Sequence, residues 1–217
     1  MRLVTISAQY GAGGSSIAPA VAEALGVPFV DRAIPVQVAR ELGISTEESL
    51  ARDDRADTRW MSRWLAGAAR VAVVTSTVPA SPSGGAVASL LSDQAFVAHT
   101  EKVIRELADS TGGVILGRAA AVVLGDRPGT LHVRLHGPCS RRLRHAMASR
   151  GIDAATAQRE MADADRARAA YVRRFYRRYP DDAGLYHLMC DSTALPPAAV
   201  AELITVAARA TTTRPAG

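Results

Sequence analysis

The segment of this 217-residue chain best suited to chemistry is Gly11-Ala12-Gly13-Gly14-Ser15-Ser16. Glycines in this density let backbone N–H groups turn inward around an anion. A helix starting directly afterwards would add the partial positive charge of its N-terminus. A complete phosphate-binding loop also carries a leading glycine and a lysine before the Ser/Thr. Here the leading position is Ala8 and the lysine position is Gly14. Read alone, the segment fits a phosphate site and a plain strand-to-helix turn alike.

Arginine is the second chemical resource. The formal net charge is +5, and Lys102 is the only lysine. Arginine keeps its charge and grips phosphate oxygens with two parallel N–H groups. Arg118 follows an apolar run and a glycine. Arg166, Arg168, Arg173, Arg174, Arg177 and Arg178 crowd one stretch, with Tyr171, Val172, Phe175 and Tyr179 on its apolar side. That stretch reads as an amphipathic helix with a solvated basic face or as a basic lid over a ligand. A nucleic-acid face is the lesser alternative for it, because its aromatics sit at core spacing rather than among the arginines. Arg141, Arg142 and Arg144 begin a separate helix and read as surface residues or, as the lesser alternative, as contacts to the adenine or the phosphates of a nucleotide. His132, His136, His145 and His187 form no Ser-His-Asp pattern and receive no catalytic role.

The elements that must position these residues follow from the apolar pattern. Leu3–Ser7 is a buried strand running into the glycine segment. Ile17, Val21 and Leu25 recur every four residues and mark a helix ending at Gly26. Pro28-Phe29-Val30 is a second strand with Asp31 at its carboxyl end. Strand, loop, helix, strand is a βαβ unit and implies a parallel sheet. Further along come a helix through Val103, Ile104 and Leu107 and a strand at Val114-Ile115-Leu116. A strand at 131–135 alternates apolar and basic residues. Next come a helix after Pro138, a long helix capped by Asp153 and reaching about Tyr179, a strand from Leu185 to Cys190, and a last helix through Val200, Leu203, Ile204 and Ala207. Five strands separated by helices predict an α/β, three-layer doubly wound domain. Its ligands sit at the carboxyl ends of the strands, where Gly11–Ser16, Asp31 and Arg118 all fall. The interval from 35 to 95 is less regular. Ser45-Thr46-Glu47-Glu48 is a capping-box helix start, Trp60 and Trp64 share a helix face, and 79–86 is a loop.

The order of these segments resembles a known family. Thr5-Ile6-Ser7-Ala8-Gln9-Tyr10-Gly11-Ala12-Gly13-Gly14-Ser15-Ser16 and Ala22–Asp31 are similar to the opening of the cytidylate kinase-like family. Phe96, Val103–Ala108 and Val114-Ile115-Leu116-Gly117-Arg118 are similar to its centre. Asp163-Ala164-Asp165-Arg166-Ala167-Arg168 looks like the arginine-bearing lid of cytidylate kinases, and Asp191–Leu195 looks like the end of their last strand. The resemblance implies a P-loop nucleoside monophosphate kinase fold: a mostly parallel five-stranded sheet with a core of residues 1–34 and 101–217, a helical substrate cap near 35–100 and a lid near 159–182. It implies ATP and Mg²⁺ as cofactors, with Gly11, Ala12, Gly13, Gly14, Ser15 and Ser16 on the donor phosphates and Ser15 or Ser16 beside the metal. Asp31 and Arg118 would serve the acceptor, and Arg166 and Arg168 would act on the transferring phosphoryl group. The implied reaction is ATP-dependent phosphoryl transfer to a small acceptor, a nucleoside monophosphate such as CMP. Three positions depart from the pattern. Gly14 replaces a lysine, Ser15 replaces the arginine of many kinase-like relatives, and Ala119 replaces an acid. These departures keep open two other readings: a nucleotide-binding protein without catalysis, acting as a sensor or interaction module, and a basic nucleic-acid-binding protein.

Composition excludes other classes. Cys139 and Cys190 have no metal-ligand spacing and read as buried reduced thiols, so no zinc site is expected. No apolar run reaches membrane-spanning length, and the N-terminus lacks a signal-peptide pattern, so the expected setting is cytoplasmic. The expected partner is a small nucleotide or phosphorylated metabolite, not a membrane, with the tryptophan segment as a candidate homodimer surface.

Overall fold

The computed structural model describes residues 2–30, 97–98, 100–102 and 104–211. Asp31, the capping box at Ser45, Trp60, Trp64, Phe96 and the 79–86 loop lie outside the described residues. By backbone contacts the chain divides into one unit of Met1–Ile34 with Glu101–Gly217 and another of Pro35–Thr100.

The first unit is built on five strands: β1 (Leu3–Ala8), β2 (Phe29–Val30), β3 (Gly113–Leu116), β4 (Thr130–His136) and β5 (Leu188–Asp191). All pair in parallel, in the order β2-β3-β1-β4-β5. The helices are α1 (Gly14–Leu25), α2 (described at 101–102 and 104–109), α3 (Ala120–Leu124), α4 (Cys139–Arg150), α5 (Ala154–Tyr176) and α6 (Pro197–Thr211). The architecture is the three-layer, doubly wound α/β sheet expected from the sequence. Because β1 lies between β3 and β4, the strand order reverses at its carboxyl end. That switch point is where such sheets open a crevice.

Alternation along β1 and β4 decides what each face buries. Val4, Ile6 and Ala8, with Val114 and Leu116 of β3 and Leu131, Val133 and Leu135 of β4, pack under α1 and α6. Those helices contribute Ile17, Val21, Leu25, Val200 and Ile204. On the other face, Leu3 and Ile115 pack with Ile104 and Ala108 of α2 and Ala120 and Leu124 of α3. Further along that face the buried residues become polar: Thr5, His132 and Arg134. Strands in the middle of a parallel sheet usually read as continuous apolar runs, so a polar face marks a site or a hydrogen-bonded network.

Several expectations are corrected. The fifth strand begins at Leu188; Ala183–Leu185 instead form a 3-10 turn whose N-terminal N–H, at Gly184, is accepted by Asp182 at 3.0 Å. The arginine-rich helix α5 starts as expected, with Asp153 Oδ1 accepting from the Thr156 N–H at 2.9 Å, but it ends at Tyr176 because Arg177 turns left-handed. Helix α3 had no counterpart in the sequence reading. Cys139 is exposed rather than buried, since it opens α4 at the surface, and Cys190 is half-buried. Among the described residues, no helix is long and apolar enough to cross a membrane.

Candidate functional site at the carboxyl edge of the sheet

The glycine segment connects β1 to α1, and its two halves differ. The entry half is tied down. Gly11 has φ +74°, and a β-carbon there would stand 2.3 Å from the Arg142 carbonyl oxygen, so only glycine fits. The Ala12 carbonyl accepts from Ser192 Oγ at 2.7 Å, which joins the loop to the end of β5. Tyr10 is held by three polar atoms. Its N–H donates to Asp165 Oδ1 at 3.0 Å, its carbonyl accepts from Arg142 Nη1 at 2.9 Å, and its hydroxyl donates to Glu160 at 2.5 Å. Arg150 donates to the same hydroxyl and pairs with Glu160. Burial, with the Glu160 hydrogen bond next, pushes the Tyr10 phenol up to about 12.

The exit half is open. Gly13 caps α1 in a left-handed conformation. Among the described residues, none accepts from the N–H groups of Gly13, Gly14 or Ser15, which are the orphan donors of a helix start. Ser15 and Ser16 are exposed, and Ser16 Oγ donates to the Gly13 carbonyl at 3.0 Å. These groups fit phosphate oxygens, and the exposed hydroxyls suit a magnesium ion that shares them with phosphate. A loop lysine does not fit. A β-carbon on Gly14 would lie 2.7 Å from the Ala8 β-carbon and 3.3 Å from Leu116 Cδ1. The two departures noted in the sequence are thus one steric exchange: the methyl at the leading position occupies the space that a side chain at position 14 needs.

Beside the loop, on the polar face of the sheet, a cleft is lined by Ser7, Ala8, Arg118, Arg134, Arg168 and Tyr186 among others. Arg118 is buried and sits at φ +59° directly after Gly117, with Ala119 following at +52°. Two consecutive left-handed non-glycine residues cost roughly 1–2 kcal/mol each, strain of the kind that collects at functional sites. Arg168 lies on α5, pairs with Asp165 at 3.2 Å and is largely buried. Arg166 does not join it. Two residues along a helix is about 200°, and Arg166 is 70% exposed with only a 3.8 Å contact to Asp163.

The sequence reading missed Arg134. It pairs in register with Ser7, so its Nη1 donates to Ser7 Oγ at 2.7 Å. The one available signal was a charged residue alternating with apolar ones in a strand. It also gave Arg142 a place at the surface or against a nucleotide rather than in the fold's own hydrogen bonds. Arg142 is buried, and its guanidinium bonds Tyr10, Gly137 and Asp165. Asp165 therefore joins α5 to both the loop and α4. Deeper in the polar face, His132 Nε2 meets the Gly125 carbonyl at 2.7 Å, so it carries the proton, and Nδ1 accepts from Thr5 Oγ1 at 2.7 Å. Burial lowers the His132 pKa, and its ring stacks on His187 at 5.0 Å. This pair is satisfied and structural. Among the described residues no group of three or more His, Cys, Asp or Glu could hold a metal.

The chain superposes on the crystal structure of an uncharacterized protein from Eubacterium ventriosum with TM-score 0.62 at 16% identity, covering 99% of this chain and 100% of that one. A shikimate kinase from Acinetobacter baumannii aligns with TM-score 0.47 at 14% identity, over 99% and 96% of the two chains. A stretch of 95 residues is 32% identical to Uronate isomerase from Corynebacterium glutamicum; it covers 44% of this chain, which spans only 18% of that protein's length. The model of the Cytidylate kinase-like family matches residues 3–194. Matched over nearly its whole length, and carrying the glycine loop and the arginine after β3 at the same edge of one parallel sheet, the chain belongs to the cytidylate kinase-like family.

Proposed function

We propose that this protein transfers a phosphoryl group from ATP to a small phosphorylated acceptor, a nucleoside monophosphate such as CMP being the leading candidate. The observation that carries this reading is the cleft, in which Arg118 and Arg168 face the same space as Ser7 and Ala8 at the foot of the glycine loop. Phosphoryl transfer asks for positioning and charge neutralisation rather than covalent chemistry. The open N–H groups of Gly13, Gly14 and Ser15 would hold donor phosphates, and Ser15 or Ser16 would approach Mg²⁺, whose charge offsets that of the phosphates when it is bound. Arg118 would take the acceptor phosphate and Arg168 the transferring group, and Asp31 would serve the acceptor or the metal. Arg166, exposed on the far side of α5, would join only after a movement of that helix. Residues 35–100 would form the substrate cap and 159–182 the lid, in a cytoplasmic setting that supplies the ATP.

A second reading is favoured by one observation: Ala8 closes the lysine position. A nucleotide-binding protein without turnover would tolerate that exchange. ADP release from Mg·ATP, measured across CMP, dCMP, UMP and the purine monophosphates, separates the two. Turnover with one acceptor well above the ATP-only background supports the kinase. ATP binding with a flat response to every acceptor supports the second reading and removes nucleoside monophosphates as substrates.

A further inference from the structure

We propose that Arg134 is an anion-binding, specificity-determining residue of the cleft, and that Asp181 is its resident counter-ion, displaced when a dianionic group of the ligand enters. The proposal takes from the preceding section only the expectation that the ligand carries a phosphate; it does not depend on turnover.

The side chain of Arg134 is only 5% exposed. Ser7 Oγ accepts from Nη1 at 2.7 Å and Asp181 Oδ1 from Nη2 at 2.5 Å, while the buried Nε has no acceptor among the described residues. A buried arginine with a donor left over is costly unless something else bonds it. The guanidinium lies 6.0 Å from the centre of the Tyr186 ring, which keeps it in the cleft. The described lining of that cleft includes three arginines, Arg118, Arg134 and Arg168, together with the hydroxyls of Thr5 and Ser7, and no Asp or Glu. Such a lining suits an oxyanion of two charges, whose oxygens a guanidinium bonds through paired N–H donors once a resident partner gives way.

Asp181 is the only carboxylate paired with Arg134 among the described residues, and it is unlike its partner. It is 70% exposed, in the turn between α5 and the 3-10 segment, whereas Arg134 is enclosed by the sheet. A carboxylate that is solvated when released gives up little on leaving, since ion pairs with an exposed partner are weak. A dianion held also by Arg118 and Arg168 therefore outcompetes it. The alternative is that the pair is a clasp holding the turn after α5 in place. The two roles predict opposite signs for the same substitution.

The test is titration of the full chain with inorganic phosphate by calorimetry, at fixed pH and ionic strength, with the melting temperature of every variant recorded. Removing the competing carboxylate with Asp181→Asn is expected to tighten phosphate binding by roughly two- to fivefold. Arg134→Lys keeps the charge but loses the paired donors and is expected to weaken binding several-fold; Arg134→Met weakens it at least tenfold. If Arg134→Met fails to fold, the first two variants decide. Unchanged or weaker binding in Asp181→Asn overturns the proposal, as does absence of phosphate binding by the wild-type chain. Phosphate binding that depends on Arg134 while no acceptor is phosphorylated leaves this inference standing and removes the kinase reading. Turnover with phosphate binding indifferent to positions 134 and 181 does the reverse.

Discussion

On one face of the sheet, Val4, Ile6 and Ala8 of β1 and Leu131, Val133 and Leu135 of β4 are sealed under α1 and α6. On the other, the intervening Thr5, His132 and Arg134 are as deeply buried but polar. The same two strands thus supply a core on one side and a polar floor on the other. Within that floor a second contrast separates structure from function. Thr5 and His132 pass one hydrogen bond along to the Gly125 carbonyl and end satisfied. Arg134, at the loop end, retains a donor. Burial marks both, but only incomplete satisfaction points to a ligand.

The contrast is broken most directly at Arg118. Arg118→Ala should lower kcat/KM for the acceptor by on the order of 10³-fold with the melting temperature little changed; unchanged kinetics would remove Arg118 from the site. On the apolar face the effect should fall on stability instead. Ile204→Ala, at a fully buried position, should cost roughly 3 kcal/mol in denaturant unfolding and leave phosphate affinity unaltered. Loss of affinity there would show that the two faces are coupled.

The loop clamp lies between these extremes. Asp165→Ala strips Arg142, Arg168 and the Tyr10 N–H of one shared acceptor and should destabilise the fold by about 2–3 kcal/mol. Tyr10 gives a related effect with a defined pH window. Its phenol titrates near 12 when folded and near 10 when unfolded, so the unfolded chain releases its proton first. The stabilisation is complete below pH 10 and falls as pH rises towards 12, by on the order of 2 kcal/mol. Urea unfolding at pH 9 and pH 11.5 should show this loss in the wild type and a smaller one in Tyr10→Phe. The smallest effect concerns the steric exchange. Gly14→Lys alone should destabilise by about 1–2 kcal/mol through the contact with Ala8, and Ala8→Gly added to it should recover most of that loss. Additive costs in the double variant would show that the two positions are independent.

Much of the fold was legible because its signals are local. Periodicity marked β1, α1, β3, β4 and α6. The acceptor for the α5 N-terminus is three residues from its donor, and the glycine segment announced its own loop. The carboxyl-edge placement of Gly11–Ser16 and Arg118 followed from their positions directly after apolar strands. Arg166 and Arg168 could have been separated from sequence, since helical period puts them on different sides. Arg134 could not be assigned: its partner Ser7 lies 127 residues away and is brought opposite only by the pairing of β1 with β4. Tyr10 was visible as a loop residue, but its attachment to Glu160 and Asp165 depends on how α4 and α5 pack against the loop. Cys139 was misjudged because an apolar neighbourhood along the chain says nothing of which way a helix start faces. The sequence by itself determined that the glycine segment and Arg118 directly follow parallel strands, because both placements follow from residue type and short-range spacing. Only the tertiary structure decided that Ala8 and Gly14 share one space and that Arg134 completes the cleft. Contacts between distant segments depend on the register and packing of the whole sheet, which short-range pattern does not encode.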